Sequence, residues 1–333
     1  MISEYLYDNN SHEESVRSLA TIFKNHNLTQ DAILVKVNWS SNKRAYFTDL
    51  QTFCFFYEAL RLAYSKAEII VVESYSYDRN DPELEFFQDQ EMQRKEIIRE
   101  NERKFMAQQG FEEFFLKNGI RYINVTEECW AGKTVDKNLI CSDVKDNYSY
   151  EIKHPELLEM IPEVLYKYKG KSLISLAKTK GIILPGFLFF TLSQKNLFGL
   201  IPNTCRRHYH GKPNLVDTIT DMNVIYKSIF DVVGVCESVF NTLFIGKQPY
   251  VIENSGCALI SRDLVTLDAT IINSLSFNPH DRKFILATEK VFNPVNKNEW
   301  YSTIIREKLY PLIDEKINIV ETKNSKEVVD FRI

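Results

Sequence analysis

The chain has few cysteines, and they are widely spaced. Six occur in 333 residues, and no two of them lie within four positions of each other. This spacing excludes a zinc knuckle, a CxxC redox pair and a ferredoxin-type iron–sulfur cluster motif. In a chain of this size, separated cysteines favour reduced and mostly buried thiols in a cytoplasmic protein.

Several common catalytic motifs are also missing. The sequence contains no GxGxxG after its first predicted strand, no Walker phosphate loop, no GxSxG elbow and no HExxH helix. The reaction class therefore has to be inferred from less familiar combinations of residues.

A long apolar run, a basic leader and a large net charge are absent as well. The apolar run at 181–193 is too short to cross a bilayer, which takes roughly 20 residues. The first residues are polar and acidic, which argues against a signal peptide. With 41 basic and 45 acidic residues, the net charge is −4. We therefore expect a soluble protein that binds neither nucleic acid nor a membrane.

The hydrophobic pattern predicts an α/β fold. The strand ILVKVN at 33–38 precedes a helix that begins after Asp49, and the buried strand EIIVVE follows at 68–73. This βαβ unit implies a parallel sheet with a right-handed crossover. Functional groups collect beyond the carboxyl ends of such strands. Those ends carry Lys36, Asn38, Glu73 and Ser74.

The chain is long enough for two lobes, and a polar stretch ends near residue 150. We place an N-terminal α/β lobe at 1–150 and a C-terminal α/β lobe at 151–333. Both are expected to have mainly parallel sheets and flanking helices, with the site in the cleft between them. Residues 81–107 are highly charged and carry Glu–Lys pairs at i,i+4, which favours a solvated helix or a helical lid.

The second lobe is predicted to alternate strands with helices. A mostly apolar segment at 181–198 is expected to form a helix that breaks near Pro185. Asp263 has the position of a helix N-cap. The other expected strands lie at 172–177, 228–235 and 317–321, and the expected helices at 214–227, 263–275 and 298–309.

The segment from Lys178 to His210 concentrates charge around its apolar run. A buried ammonium needs a carboxylate, a bound anion or water, so these residues predict a site if they converge. A hairpin near Pro185 or Gly199 would bring them to one cleft suited to a carboxylate or a phosphate. The alternative is that the lysines reach the surface and the arginines form ordinary surface ion pairs. The charged residues are Lys178, Lys180, Lys195, Arg206, Arg207, His208 and His210.

A metal site is a second interpretation of this segment. His208 and His210 have strand spacing, which would place both imidazoles on one face. Two histidines alone do not hold a metal. Glu237 is the best carboxylate partner because it follows a buried strand, and Asp268 lies in an apolar helical context that needs a cation or hydrogen-bond donors. The competing interpretation is that Asp268 accepts hydrogen bonds from a neighbouring loop.

Ordered blocks of sequence resemble the family catalogued as domain of unknown function 362. The blocks are ILVKVN (33–38), EIIVVES (68–74), KTK with QKNLFGLIP and RRHYH (178–210), IFDVVGVCE (229–237) and ISRDLVTLDA (260–269). The resemblance implies that the following residues fall on motif positions: Lys36, Asn38, Glu73, Lys178, Lys195, Asn196, Arg206, His210, Glu237, Asp263 and Asp268.

The chain departs from the family's pattern in two ways. The family usually shows Lys-Thr-His where this chain has Lys178, Thr179 and Lys180, so a histidine-dependent step there is not carried over. Many relatives also contain a ferredoxin-like cluster module, which is missing here. The layout is also similar to that of nickel-pincer lactate racemases, with Lys195 and His210 as counterparts, which implies two α/β lobes around the site.

We therefore expect an enzyme that acts on a small anionic metabolite by redox or proton-transfer chemistry in biosynthesis. The expected catalytic residues are Lys195, His210 and Glu237. The expected substrate-binding residues are Lys36, Asn38, Lys178, Asn196 and Arg206. A divalent metal held by His210, Glu237 and Asp268 is the candidate cofactor, and a second copy of the chain, as a homodimer, is the candidate protein partner. The alternatives are a non-catalytic protein that delivers a metal or cofactor and a scaffold that binds partners through the charged helix.

Overall fold

The fold was analysed in a computed structural model of the chain. The residues it describes are 3–6, 12–42, 46–80, 91–184, 187–203, 205–210, 214–245, 248–253, 257–274 and 283–292. The helix expected at 298–309, the strand at 317–321 and the first part of the charged helix at 81–90 lie outside these residues.

The described strands are β1 (Ser3–Leu6), β2 (Ala32–Lys36), β3 (Glu68–Glu73), β4 (Arg121–Asn124), β5 (Ser172–Leu184), β6 (Phe187–Thr191), β7 (Asp231–Ile245), β8 (Gln248–Glu253) and β9 (Cys257–Ser261). The described α-helices are α1 (His12–Asn25), α2 (Leu50–Ala63), α3 (Tyr77–Asn80), α4 (Glu91–Gln108), α5 (Phe111–Asn118), α6 (Val125–Trp130), α7 (Lys137–Asn147), α8 (Glu163–Tyr166), α9 (Ser193–Phe198), α10 (Arg206–His210), α11 (Leu215–Ile229), α12 (Leu264–Ser274) and α13 (Lys283–Phe292). A 3₁₀ helix spans Pro155–Glu159.

The strands form one mixed sheet that confirms the α/β prediction. Its order is β1-β9-β7-β5-β2-β3-β4, with β6 added to β5 and β8 added to β7. The five strands from β7 to β4 run parallel, whereas β9, β6 and β8 pair antiparallel with their neighbours. Strands from both sides of residue 150 share this sheet, because β2 pairs with β5. The division into two lobes at that residue stays a prediction.

The predicted βαβ unit is confirmed at β2, α2 and β3. Strands β2 and β3 are parallel neighbours, and the Asp49 carboxylate accepts a hydrogen bond of 2.8 Å from the Thr52 amide at the start of α2. Such a cap satisfies one of the amide groups that have no partner in the first turn of a helix. The short strands are buried on both sides, which explains why their sequences are continuous apolar runs.

Helices cover both faces of the sheet and create two apolar layers. Alternate residues of β2 point to opposite sides, so that Ile33 and Val35 pack with α1, α2 and α5. Leu34 packs on the other face, in the layer that also contains residues from α7, α9, α11 and α12. Both faces of the sheet are therefore covered mainly by apolar side chains.

The predicted helix at 181–198 is wrong over its first half. Residues to Leu184 extend β5, and β6 returns antiparallel beside it, with Lys180 paired to Thr191. Only Ser193–Phe198 is helical. Strand β7 also continues to Ile245, well beyond the predicted end at residue 235. The long strands β5 and β7 therefore extend beyond the carboxyl ends of β2 and β3.

The charged segment forms α4 from Glu91 to Gln108, in agreement with the helix prediction for that part. Buried residues on this helix, such as Ile98 and Phe105, show that one face packs on the protein. Within the described residues, no helix is long and apolar enough to cross a membrane.

Candidate functional site

A buried ion pair lies where β2 and β3 end. Lys36 Nζ is 3.0 Å from Glu73 Oε2, and the two side chains are 1% and 2% exposed. Lys36 also donates to the carbonyl of Val37, and Glu73 accepts from the amides of Trp39 and Ser74. Burial is the main cause that lowers the pKa of Lys36, to about 8, and the charge of Glu73 acts against this shift.

Helix α9 brings Asn196 against this pair. Asn196 Oδ1 accepts from Asn38 Nδ2 at 2.9 Å and from Lys36 Nζ at 3.3 Å. Its amide nitrogen donates to the carbonyl of Lys36 and to Ser175 Oγ, both at 3.1 Å. Asn196 therefore connects the end of β2 to Ser175 within β5 by using both of its polar atoms.

Gly199 allows α9 to approach Lys36 closely. A Cβ at this position would lie 2.7 Å from Lys36 Nζ and 3.0 Å from the carbonyl oxygen of Asn196. Arg206 on α10 reaches the same edge, where its guanidinium donates to Ser74 Oγ and to the carbonyls of Gly199 and Ile201. It also lies 3.9 Å from Glu73 Oε1. Lys36, Asn38, Glu73 and Ser74 therefore lie together at the carboxyl ends of β2 and β3, as predicted.

Lys178 and Glu237 form a second buried ion pair inside the sheet. They are register partners on β5 and β7, with 3.0 Å between Nζ and Oε1, and neither side chain is exposed. The prediction that Glu237 lies at the end of its strand is wrong, because β7 continues to Ile245. Neither residue is among those that line the cavity described below.

Lys180 occupies a different environment from Lys178, although only one residue separates them. The register between β5 and β7 shifts between these two lysines, since Lys178 pairs with Glu237 and Lys180 with Thr242. Lys180 Nζ lies 2.7 Å from Asn38 Oδ1, 2.6 Å from Ser40 Oγ and 2.8 Å from the carbonyl of Tyr46. Burial, followed by the charges of Lys195 and Lys178, lowers the pKa of Lys180 to about 7.

A cavity of about 560 Å³ opens above these residues. Fifteen described residues line it, and none of the fifteen is an aspartate or a glutamate. Its polar lining combines basic side chains with hydroxyl and amide groups. The lining residues with basic side chains are Lys180, Lys195, Arg206 and His210, and those with amide or hydroxyl groups include Asn38, Ser40, Tyr46, Ser76 and Asn196. The convergence predicted for the two ends of the Lys178–His210 segment is therefore observed for Lys180, Lys195, Asn196, Arg206 and His210.

His210 lies on a helix rather than on the predicted strand. Residues 206–210 form α10, and positions i and i+2 of a helix point about 200° apart, so His208 and His210 do not share a face. The His210 ring packs edge-on against Phe198, with 5.6 Å between the centroids. Burial, then the charges of Lys195 and Arg206, lowers the pKa of His210 to about 3. Its imidazole is therefore neutral at ordinary pH.

The cavity residue Lys195 also contacts an aromatic ring. Its ammonium lies 4.7 Å from the centre of the Phe189 ring, a distance at which a cation is attracted to the ring face. Because Phe189 belongs to β6, the antiparallel return of the hairpin positions this lysine.

The carboxylate of Asp268 accepts hydrogen bonds from the first two residues of α9. Its Oδ1 accepts from the Ser193 amide at 2.9 Å and from Ser193 Oγ at 2.6 Å, and its Oδ2 accepts from the Gln194 amide at 3.0 Å. This agrees with the interpretation that Asp268 accepts hydrogen bonds from a neighbouring segment. Complete burial raises the pKa of Asp268 to about 7. Asp263 caps α12 by accepting from the Thr266 amide, as predicted.

The structure does not bring the predicted metal ligands together. Glu237 pairs with Lys178 and Asp268 caps α9, whereas His210 lines the cavity. Across the described part of the chain, no group of three or more His, Cys, Asp or Glu residues could hold a metal ion.

Several residues of the cavity are not predicted as site residues by the sequence. Lys180 belongs to the charged segment that predicts a site, but it is assigned no catalytic or binding role there, and Ser40 is not among the predicted residues. A signal was nevertheless present for Ser40, because it follows Asn38 by two residues on the backbone just beyond β2. Side chains two positions apart on extended backbone face the same way.

These features define an α/β protein with a basic cavity at the carboxyl edge of a parallel sheet. The chain belongs to the family described as Domain of unknown function (DUF362), whose model matches residues 33–273. No curated protein and no solved structure matches the chain. The similarity in layout to nickel-pincer lactate racemases stays a prediction.

Proposed function

We propose that this protein is an enzyme that binds a small anionic metabolite in the cavity and transfers a proton there. The observation that carries the proposal is the charge of the lining: Lys180, Lys195 and Arg206 contribute basic groups, and no carboxylate is among the fifteen described lining residues. Charge-assisted hydrogen bonds from lysine and arginine are strong and suit carboxylates and phosphates.

Lys180 supports anion binding most directly. Its three hydrogen-bonding partners are an amide oxygen, a hydroxyl and a backbone carbonyl, all of them uncharged. The residue is 8% exposed, and the nearby lysines disfavour its charged form. A ligand carboxylate or phosphate would supply the missing negative charge and stabilise the ammonium.

Lys180 also supports proton transfer. A lysine whose pKa is about 7 is present in both protonation states near neutral pH, which suits a general acid or base. His210 lines the same cavity with a neutral imidazole, which carries one donor and one acceptor nitrogen. A proton transfer of this kind fits an isomerisation or the proton step of a redox reaction. A cytoplasmic location, a role in biosynthesis, a homodimer and delivery of a metal stay predictions.

Anion binding can be tested by calorimetry with malonate. We expect Lys195→Ala to weaken binding by about tenfold or more, because one charge-assisted hydrogen bond contributes about 1.5 kcal/mol or more. The unfolding midpoint should change little, since Lys195 is only partly buried. Lys66→Ala, which removes an exposed lysine outside the cavity, is the matched control. Equal affinity of the two variants for malonate would refute the proposed anion site.

Proton transfer can be followed by the loss of ¹H signals when carboxylated and phosphorylated metabolites are incubated with the protein in D₂O. Wild-type protein should promote deuterium incorporation at carbon in its substrate. Lys180→Met should reduce the rate by about 10²-fold or more, the usual contribution of a general acid or base. Exchange at the same rate in this variant would remove Lys180 from the proposed chemistry.

A further inference from the structure

Ser40 and Lys180 meet at the wall of the cavity. Ser40 Oγ lies 2.6 Å from Lys180 Nζ, and both residues line the cavity. They are 140 positions apart in the sequence, one in the loop after β2 and the other on β5. A hydroxyl within hydrogen-bond reach of a basic side chain is the arrangement that activates a serine as a nucleophile.

The surroundings of Lys180 suit a base. A neutral amine has two N–H groups and one lone pair. The oxygens of Asn38 and Tyr46, at 2.7 and 2.8 Å, can accept both N–H groups. The lone pair is then left for the hydroxyl hydrogen of Ser40. Asn38 thereby orients the base, as the third member of a catalytic triad does.

The neutral form of Lys180 is accessible because none of the fifteen described residues that line the cavity is a carboxylate. The side chain is buried, and the charges of Lys195, Lys178 and Lys36 disfavour its ammonium form, whereas the charge of Glu237 favours it. A lysine in such an environment loses its proton more readily than one in water.

Other residues of the cavity are suited to bind a negatively charged substrate. Lys195 and Arg206 line it together with Lys180, and the aromatic ring of Phe198 contributes an apolar surface. An acyl compound with a second, anionic group could therefore place that group on Lys195 and Arg206. For the reaction, its carbonyl carbon would have to lie within reach of Ser40 Oγ, which lines the same cavity.

We propose that Ser40 is a nucleophile and Lys180 its general base in the hydrolysis of an anionic ester or thioester. The inference rests on the proposed anion site and names the substrate class for it. It adds a covalent step that the proton-transfer proposal does not require.

The reaction has an acylation step and a deacylation step. The Ser40 hydroxyl proton moves to Lys180 Nζ as a bond forms between Oγ and the carbonyl carbon. The tetrahedral intermediate collapses, the bond to the leaving oxygen or sulfur breaks, and Lys180 returns the proton to the leaving group. Water then attacks the acyl-enzyme by the same proton path, which releases a carboxylic acid and restores Ser40.

The test uses the full chain with 4-nitrophenyl succinate, a half-ester with one free carboxylate. Wild-type protein should release a burst of about one nitrophenolate per chain, and mass spectrometry should find the succinyl group on Ser40. Ser40→Ala should show neither. Lys180→Met should acylate about 10²-fold more slowly or worse. Ser65→Ala, which removes an exposed serine outside the cavity, should retain the burst.

Two further measurements keep the outcomes separate. Ser40→Ala should bind malonate and unfold at the wild-type midpoint, which shows that the lost burst is chemical. At saturating half-ester, the wild-type burst rate should rise as the pH increases through about 7, because the base must be neutral. A burst that persists in Ser40→Ala, or acyl groups found only on other residues, would show that Ser40 is not the nucleophile. Malonate binding without any burst would overturn acyl transfer and leave the anion site standing, whereas loss of both would refute both proposals.

Discussion

Lys178 and Glu237 lie directly opposite each other on β5 and β7, and their ion pair is completely enclosed by the protein. Burial of such a pair costs desolvation energy that the mutual attraction offsets only when both partners are present. The pair therefore makes the two longest described strands dependent on each other.

Removal of one partner should be far more damaging than removal of both. We expect Lys178→Met to lower the free energy of unfolding by about 3–5 kcal/mol, because it leaves the Glu237 carboxylate buried without its cation. The double variant Lys178→Met/Glu237→Leu should recover most of this loss. The free energies of unfolding of the wild type, of each single variant and of the double variant can be measured by urea denaturation followed by circular dichroism. Additive losses in the double variant would show that the two residues do not act as a pair.

Anion affinity should depend on pH through Lys180. Sulfate keeps its charge between pH 6 and 9, so a change in its affinity reports on the protein. Lys180 loses its positive charge as the pH rises through about 7, and sulfate binding should weaken in the same range. His210, with a pKa of about 3, is neutral throughout and should not contribute.

Lys180→Met provides the control for this pH dependence. The variant should bind sulfate more weakly at pH 6 and should lose the transition near pH 7 that calorimetry detects in the wild type. If the transition survives in the variant, another group controls the affinity.

The two capping aspartates should differ in their contribution to stability. Asp263 accepts from one backbone amide and from the hydroxyl of Thr266, at a partly buried position, so Asp263→Ala should cost about 1 kcal/mol. Asp268→Ala should cost about 3 kcal/mol, because three donors of Ser193 and Gln194 lose their buried acceptor. Thermal or urea denaturation of both variants shows which of them loses more stability. Equal costs would contradict the role assigned to Asp268.

The cost of Asp268→Ala should also vary with pH in a defined direction. The pKa of Asp268 is raised from 3.8 to about 7, so the folded protein binds a proton that the unfolded chain does not between these values. The stability contributed by this group therefore increases as the pH falls from about 7 towards 4. The difference between wild type and variant should be larger at pH 5 than at pH 8.

Gly199→Ala should disturb the edge of the sheet. The added Cβ would lie 2.7 Å from Lys36 Nζ and 3.1 Å from its Cε, so the lysine or α9 has to move. We expect a loss of about 1–3 kcal/mol in the free energy of unfolding, the usual cost of an overpacked position. Malonate affinity should fall too, because Asn196 and Arg206 depend on the same segment. If neither the free energy of unfolding nor the malonate affinity changes, α9 is free to shift.

The sequence predicted those parts of the fold that depend on local patterns. The unit β2–α2–β3 follows from two apolar runs and the cap at Asp49, and its strand ends correctly locate Lys36 and Glu73. These residues could be placed because carboxyl ends of parallel neighbours necessarily meet at one edge.

The hairpin of β5 and β6 could not be predicted in the same way. Its residues are apolar without a period of two, so periodicity does not separate a buried strand from a buried helix. The extension of β7 past Glu237 depends on pairing with β5, which is distant in the sequence, and on the hairpin that β7 forms with β8. The environment of Lys180 depends on Asn38 and Ser40, which are 142 and 140 positions away.

The cavity is lined by residues from β5 and β6, from the segments that follow β2 and β3 and from two short helices, so it exists only when these distant parts of the chain are assembled. Any compound that occupies it must bind the folded chain in preference to the unfolded one. Mass action then raises the melting temperature, and a ligand at about 100 times its Kd adds roughly 2.7 kcal/mol. Thermal denaturation in the presence of metabolite libraries is therefore a direct route to the natural ligand, even before any reaction is known.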